Sequence, residues 1–90
     1  MRDAWIERFR TEALPEIVKD IKPVRVLLFG SRVTGHANED SDLDVILISR
    51  SFKGIPFLKR MEMVMRAARF QKHVDYLCYT PEEFKKIKDS

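Results

Sequence analysis

Leu27–Ile48 reads LLFGSRVTGHANEDSDLDVILI, and this stretch decides the fold. It starts in an apolar strand pattern, turns at Gly30-Ser31, crosses a short polar passage and enters a second apolar strand opened by Asp42 and Asp44. A glycine turn lets an anion approach the backbone N–H groups closely. Two carboxylates are therefore set beside a turn that suits a phosphate group.

The chain before this stretch has the spacing of an amphipathic helix. Its apolar residues recur mostly every three to four positions, at Ile6, Phe9, Leu14, Ile17, Val18 and Ile21. This spacing predicts a helix over residues 3–20 that is kinked or divided at Pro15. Residues 24–29 are β-branched and apolar enough to predict a buried strand. A polar connector is expected at 36–41, and the second strand at 42–48.

The chain after this stretch returns to a helical pattern and then to a strand. The apolar residues that would share one helix face are Phe57, Leu58, Met61, Val64, Met65 and Ala68. Residues 74–79 predict a third strand. Thr80 and Glu83 form a capping box that begins a last helix at Pro81, ending at about Lys88. The order α-β-α-β-α-β-α predicts an α/β (α+β) domain with a small three-stranded sheet flanked by helices.

Length and composition indicate one intracellular domain. Ninety residues, 44% of them apolar, are expected to form a single core over residues 1–90. Cys78 is the single cysteine, which excludes an internal disulfide, and it is expected to be a buried small hydrophobic residue. No apolar run reaches the roughly 18 residues of a membrane span. The charged start of the chain does not fit a signal peptide, so a soluble, cytoplasmic protein is expected.

The net charge of +3 is unevenly distributed. Residues 50–72 hold seven basic side chains and one acid, Glu62, while the rest of the chain holds ten basic and thirteen acidic groups. The basic residues are Arg50, Lys53, Lys59, Arg60, Arg66, Arg69 and Lys72. Such a stripe would attract a polyphosphate or an acidic partner, and a solvated helix face is an equal alternative.

Asp42, Asp44 and Asp75 are the candidate catalytic and metal-binding residues. Side chains two apart in a strand point to one face, so the first two carboxylates are expected about 6–7 Å apart along the backbone. Hard oxygen ligands so arranged suit Mg²⁺. Asp75 interrupts another apolar strand, and if that strand is adjacent, the three carboxylates can converge on two metal ions. The alternatives are surface charges for the first pair and an ion pair for Asp75.

Gly30 and Ser31 are the candidate phosphate-binding residues. They follow a strand directly and precede a short predicted helix that ends at Gly35, whose first N–H groups are free to bind an anion. The pattern is neither the P-loop nor the dinucleotide-binding glycine motif. A plain turn with a helix cap is the alternative for these two residues in isolation.

Together these motifs carry a resemblance. Gly30-Ser31-Arg32-x-x-Gly35, followed by Ser41-Asp42-Leu43-Asp44-Val45, resembles the signature of the DNA polymerase beta superfamily of nucleotidyltransferases, in particular its minimal nucleotidyltransferase members. The stretch from Val74 to Phe84, VDYLCYTPEEF, resembles the strand that holds that family's third carboxylate and the helix after it. The resemblance spans most of the chain and implies a mixed sheet flanked by helices.

The resemblance also implies roles for the site residues. Asp42 and Asp44 would bind two Mg²⁺ ions, and Asp75 would complete the site of the ion that activates the attacking hydroxyl. Gly30 and Ser31 would hold the β- and γ-phosphates of a nucleoside triphosphate, ATP being expected. Arg32 is a further candidate for nucleotide binding, with a surface role as the equal alternative.

Minimal members that resemble this chain often pair with a helical protein of the HEPN type in toxin–antitoxin modules, where they add AMP to the partner. The resemblance thus implies such a partner here. Residues 52–57 and the basic helix are candidates for the contact surface, although core packing and solvent exposure are the alternatives. Core packing is expected of Phe57 more than of Phe52.

Two other functions compete with catalysis. In the first, the chain is an antitoxin that retains the fold and neutralises its partner by occlusion alone. In the second, it is a basic nucleic-acid binder. The three acids count against the first. The sequence argues against nucleic acid as a partner, because it shows no aromatic stacking pattern and no helix suited to base recognition. The sequence leaves open whether the chain works alone, as a homodimer or in a hetero-complex.

Overall fold

The N-terminal amphipathic segment is helical from Ala4 to Ile21, but it changes geometry on the way. A computed structural model describes residues 3–35 and 41–89, so the predicted connector lies outside the described residues except for its last position. Helix α1 covers Ala4–Arg8, a π-helical turn covers Phe9–Ala13, and α2 covers Leu14–Ile21. Pro15 lies in the first turn of α2, where its missing N–H is tolerated. The prediction that the proline divides the helix is confirmed in this form.

Three strands form a mixed sheet, as expected, and lie in the order β1-β2-β3. Strand β1 covers Arg25–Phe29, β2 covers Leu43–Ile48 and β3 covers Val74–Tyr79. Strand β1 pairs antiparallel with β2, and β2 pairs parallel with β3. The first two strands begin one residue later than predicted, so Asp42 precedes β2 instead of opening it.

The sheet buries one face against helices and leaves the other more open. On the buried face, alternate residues of β2 and β3 are at most 4% exposed: Leu43, Val45, Leu47, Val74, Tyr76 and Cys78. They pack with Phe9, Ile17 and Phe52, each fully buried, in one core. Burial of each such large side chain contributes about 1.5–3 kcal/mol. Because strand side chains alternate, the carboxylates of β2 and β3 lie on the more open face.

Between these strands, short helices complete the order. Helix α3 covers Ser31–Thr34, a 3₁₀ turn covers Arg50–Phe52, and α4 covers Phe57–Ala67. No helix among the described residues is both long enough and apolar enough to cross a membrane.

The predicted apolar face of α4 is wrong in part. Leu58 is 80% exposed, and Phe57 and Met65 are also exposed, whereas Arg60 is buried. The guanidinium of Arg60 donates to the backbone oxygens of Ile55 (2.8 Å) and Cys78 (3.1 Å) and pairs with the carboxylate of Glu83. These acceptors compensate the burial of its charge, so the helix turns this arginine inward.

This orientation of α4 corrects two further expectations. Arg60 does not contribute to a basic surface stripe, because it is buried. Phe52 is fully buried and Phe57 is half-exposed, the reverse of what was expected for these two rings. Both rings lie about 6 Å from the Arg60 guanidinium, so the buried arginine packs near one buried and one half-exposed ring.

The capping box of the last helix, α5, is confirmed. Helix α5 covers Pro81–Asp89. The backbone N–H of Glu83 donates to Thr80 Oγ1 (3.2 Å), and the N–H of Thr80 donates to Glu83 Oε1 (2.8 Å). Cys78 is buried, as predicted, and burial raises the pKa of its thiol to about 12.

Candidate functional site

The candidate site lies at one end of the sheet. Because β1 runs antiparallel to β2 and β2 runs parallel to β3, the last residue of β1 and the first residues of β2 and β3 meet there. In the observed register, Phe29 pairs with Asp44, and Asp44 pairs with Asp75. The Gly30-Ser31 turn therefore lies next to the acidic residues of two strands.

Gly30 lies against the carboxylate of Asp44. Its φ of +86° belongs to the region that favours glycine. A Cβ atom at this position would lie 2.2 Å from Asp44 Oδ2, far inside contact distance. Only a glycine can therefore adopt this turn conformation with the Asp44 carboxylate in its observed place. Its carbonyl oxygen accepts from the N–H groups of Val33 and Thr34, which starts helix α3 at Ser31.

Asp44 is the acid of the site whose pKa is raised. Burial raises the pKa of its carboxyl, and the neighbouring charges of Asp75 and Asp42 raise it further. Mutual repulsion of carboxylates is relieved by a bound cation. The residues therefore fit a divalent metal, since carboxylate oxygens are the ligands that Mg²⁺ prefers.

The carboxylates of Asp42 and Asp75 come together with the imidazole of His73. One ligand atom from each residue lies within 4.8 Å of the other two. His73 Nε2 is 3.0 Å from Asp75 Oδ1, and both side chains are about half-exposed. Asp44 is not part of this group, and its Oδ2 lies against Gly30.

His73 is the functional candidate that the sequence reasoning missed. Asp42-Leu43-Asp44 and His73-Val74-Asp75 share the pattern polar-apolar-polar, and Leu43 pairs with Val74 in the sheet. The residues before that pair, Asp42 and His73, are therefore neighbours. The signal was this repeated alternation ahead of two strands.

Arg32 makes structural contacts on the side of the site that faces the first helix. Its Nε donates to the backbone oxygen of Ser41 (2.7 Å), and its Nη1 pairs with Asp3 Oδ2 (2.8 Å). Asp3 also caps α1 by accepting from the N–H groups of Trp5 and Ile6. Burial raises the pKa of Asp3, but these hydrogen bonds outweigh it, and the pKa is lowered. The arginine thus joins three segments, and its contact with nucleotide stays a prediction.

A cleft of about 460 Å³ borders the site through His73. It lies beyond β3, between the end of α4 and the start of that strand. Its lining residues are Met65, Ala68, Arg69, Phe70, Gln71, Lys72, His73, Val74 and Tyr76. Tyr76 Oη is buried without a hydrogen-bond partner among the described residues.

A small mixed sheet that gathers carboxylates beside a glycine turn is typical of proteins that act on phosphate esters with divalent cations. Comparison with known proteins identifies the family within that class. Residues 11–90 match the family described as "Nucleotidyltransferase domain". The chain belongs to this family, and its chemistry is nucleotidyl transfer.

A curated relative supports the same assignment. The protein named "Putative protein adenylyltransferase" from Methanocaldococcus jannaschii is 34% identical over 73 residues, which cover 73% of this chain and 71% of the relative. A crystal structure of a "putative nucleotidyltransferase" from Sulfolobus solfataricus has a TM-score of 0.61 and 28% identity, covering 99% of this chain and 85% of that chain.

The fold alone is shared more widely. BolA1 from Arabidopsis thaliana has a TM-score of 0.64 with 22% identity, covering 91% of this chain and 98% of its own. At that identity the likeness concerns the backbone arrangement only. The assignment to the family therefore depends on the sequence match, not on the fold.

Proposed function

We propose that this chain is a Mg²⁺-dependent nucleotidyltransferase that moves AMP from ATP to a hydroxyl group on a partner protein. The observation that carries the proposal is the meeting of Asp42, Asp44 and Asp75 beside the Gly30-Ser31 turn, in a chain of the nucleotidyltransferase family. The AMP donor and the protein acceptor are supported by the relative named as an adenylyltransferase.

The three aspartates would hold two Mg²⁺ ions. When bound, such ions would neutralise charge on the phosphates and lower the pKa of the attacking hydroxyl. Burial, and then repulsion from Asp75 and Asp42, raise the pKa of Asp44; the repulsion supports this role, because carboxylates gain most from a cation when they lie close together. Asp75 is on the outer strand of the sheet, so the acceptor hydroxyl would approach from that side.

Gly30 and Ser31, which follow β1 at the other edge of the sheet from Asp75, would hold the β- and γ-phosphates. The acceptor oxygen attacks the α-phosphorus in line, a new P–O bond forms, and the bond to the bridging oxygen breaks. Pyrophosphate leaves and the hydroxyl proton passes to solvent. The residues of the chain contribute positioning and electrostatic stabilisation, which is the logic of phosphoryl-type transfers.

The proposed acceptor is a HEPN-type helical protein, with this chain as the antitoxin of a toxin–antitoxin pair. The exposed apolar side chains of α4, Phe57, Leu58 and Met65, support a contact surface for such a partner. A homodimer is the other assembly compatible with this surface.

Labelling with α-³²P-ATP tests the activity. Incubation with Mg²⁺ and the candidate partner should label the partner, and Asp42→Asn or Asp44→Asn should reduce the labelling at least about 1000-fold because a metal ligand is lost. Asp20→Asn is the matched control, since it makes the same substitution at an exposed aspartate of α2, outside the candidate site and the proposed contact surface, and it should leave labelling intact. Unchanged labelling in both aspartate variants would refute the assignment of the site.

A further inference from the structure

The imidazole of His73 lies close enough to the carboxylates of Asp42 and Asp75 to bind the same metal ion. We propose that its imidazole Nε2 is a metal ligand, which gives the site a mixed oxygen and nitrogen donor set that binds Mn²⁺ more tightly than Mg²⁺. The inference rests on the proposed function only in assuming a divalent ion at Asp42 and Asp75. It concerns binding, which is measured without nucleotide or acceptor.

The distances fit one shared ion. An octahedral ion with bonds of about 2.1 Å holds adjacent ligand atoms about 3 Å apart and opposite ones about 4.2 Å apart. His73 Nε2 and Asp75 Oδ1 are 3.0 Å apart, and the ligand atom of Asp42 lies within 4.8 Å of both. Small side-chain rotations would bring all three atoms onto one ion.

The backbone holds the histidine in this position. The N–H of Leu43 donates to the carbonyl oxygen of His73 at 3.3 Å, so the ladder between β2 and β3 begins at this residue. Asp42 and His73 are thereby fixed as neighbours by the same hydrogen bond that starts the strand pair.

The chemistry of the donor set points to a transition metal. Imidazole nitrogen is a ligand of first-row transition metals such as Fe²⁺, Ni²⁺ and Zn²⁺, whereas Mg²⁺ prefers oxygen. The side chains of His73 and Asp75 are 53% and 50% exposed, so the remaining coordination positions are open to water or phosphate oxygens. Mn²⁺ accepts both kinds of ligand and keeps the octahedral geometry that phosphate chemistry needs.

A plain hydrogen bond between His73 and Asp75 is the competing explanation of their distance. In that case the histidine orients the carboxylate and does not touch the ion. Loss of an orienting group weakens every metal at the site, whereas loss of a nitrogen ligand weakens the ions that prefer nitrogen. The two explanations therefore differ in what removal of the imidazole does to Mg²⁺.

Pulsed EPR of Mn²⁺ added alone to the tag-free, full-length chain tests coordination directly. We expect ¹⁴N coupling from a bound imidazole in the unaltered protein and its loss in His73→Gln. The chain has two histidines, so His36→Gln is the matched control and should keep the coupling. Absence of ¹⁴N coupling in the unaltered protein, or its persistence in His73→Gln, would overturn the proposal.

Calorimetric titration supplies the second measurement. His73→Gln should weaken Mn²⁺ binding about tenfold or more and change Mg²⁺ binding less than about twofold. Equal weakening of both ions would also overturn the proposal, because it indicates an orienting hydrogen bond. Asp75→Asn should weaken both ions. The nitrogen coupling and the AMP labelling are independent readouts, so failure of one is distinguishable from failure of the other.

Discussion

At the scale of single residues, the position of Gly30 makes two demands that no other residue type meets together. Its backbone has a positive φ, and the space where a Cβ would lie is taken by Asp44 Oδ2. The sequence predicts that this glycine lets a phosphate approach the backbone. The structure adds that it admits a carboxylate from the neighbouring strand, so the turn and the acid are fitted to each other.

Gly30→Ala should therefore impair both folding and transfer. We expect the free energy of unfolding to fall by about 1–3 kcal/mol from backbone strain and the clash. Displacement of the Asp44 carboxylate should reduce AMP labelling by about 100-fold. Thermal unfolding and the labelling assay measure the two effects.

Gly54→Ala is the matched control for this prediction. Gly54 also has a positive φ, of +80°, but apart from its chain neighbours no atom of the described residues lies within 4 Å of its Cβ position. It should lose stability through strain alone and keep its labelling activity. If both alanine variants label the partner equally well, the contact between Gly30 and Asp44 has no catalytic importance.

At the scale of secondary-structure elements, Glu83 joins three parts of the fold. Its carboxylate closes the capping box of α5 and pairs with the buried Arg60 of α4, whose guanidinium also reaches the Cys78 carbonyl oxygen of β3. The hydrogen bond from Arg60 and that from the Thr80 N–H lower the pKa of Glu83 to about 2. A carboxyl whose pKa is lowered by folding stabilises the folded state only while it is ionised.

Stability should consequently fall with pH as Glu83 becomes protonated. The loss should begin near the ordinary glutamate pKa of 4.5 and be complete below about 2. Glu83→Gln should remove this part of the pH dependence and, because Arg60 loses its ionic partner, cost about 1–3 kcal/mol at pH 7. Denaturant unfolding at a series of pH values measures both.

Glu82→Gln, one residue earlier on α5, is the control for the charge change. It should keep the pH dependence of the unaltered protein. A steep loss of stability between pH 4.5 and 2 that survives in Glu83→Gln would assign that loss to other carboxyl groups.

The elements that local signals determine were predictable from the sequence. Strand β3 was predicted to the residue, because its alternation ends at the Thr80-Pro81 signal, and the capping box was recognised from its spacing. The inward face of α4 was not predictable, since the acceptors that allow Arg60 to be buried include Cys78 and Glu83, which are distant in sequence. Long-range contacts overrode the apolar periodicity there.

The same limit applies to the candidate site. Residue type and spacing make its three aspartates and its glycine turn candidates, and the sheet gathers their strands at one end. The position of His73 depends on strand register, which single residues do not specify. Arg32 was read as a phosphate candidate, while its contacts to Asp3 and Ser41 depend on how the first helix packs.

At the scale of the whole molecule, helix α4 presents apolar side chains outward next to a sheet with one open face. Phe57, Leu58 and Met65 are 42%, 80% and 44% exposed. Exposed apolar residues on a helix that also contributes to the core are available for a partner without disturbing the fold. The proposed HEPN-type partner would cover them.

Leu58→Glu should weaken the complex with that partner at least about tenfold and change stability by less than about 0.5 kcal/mol. Calorimetry with the purified partner measures the affinity. Ile87→Glu is the matched control, because Ile87 is 50% exposed on α5 and receives the same charge change. Equal affinity of the two variants would place the partner on another surface.

The register of the three strands decides whether the acids of the candidate site lie on one face of the sheet. Phe29, Asp44 and Asp75 form one row, and strand side chains alternate between the two faces. A slip of β2 by one residue would turn Asp44 into the apolar interior and bring Val45 out in its place. A misaligned or half-assembled chain would therefore lack the proposed site, and binding of a divalent ion there would report that the three strands are paired in the native register.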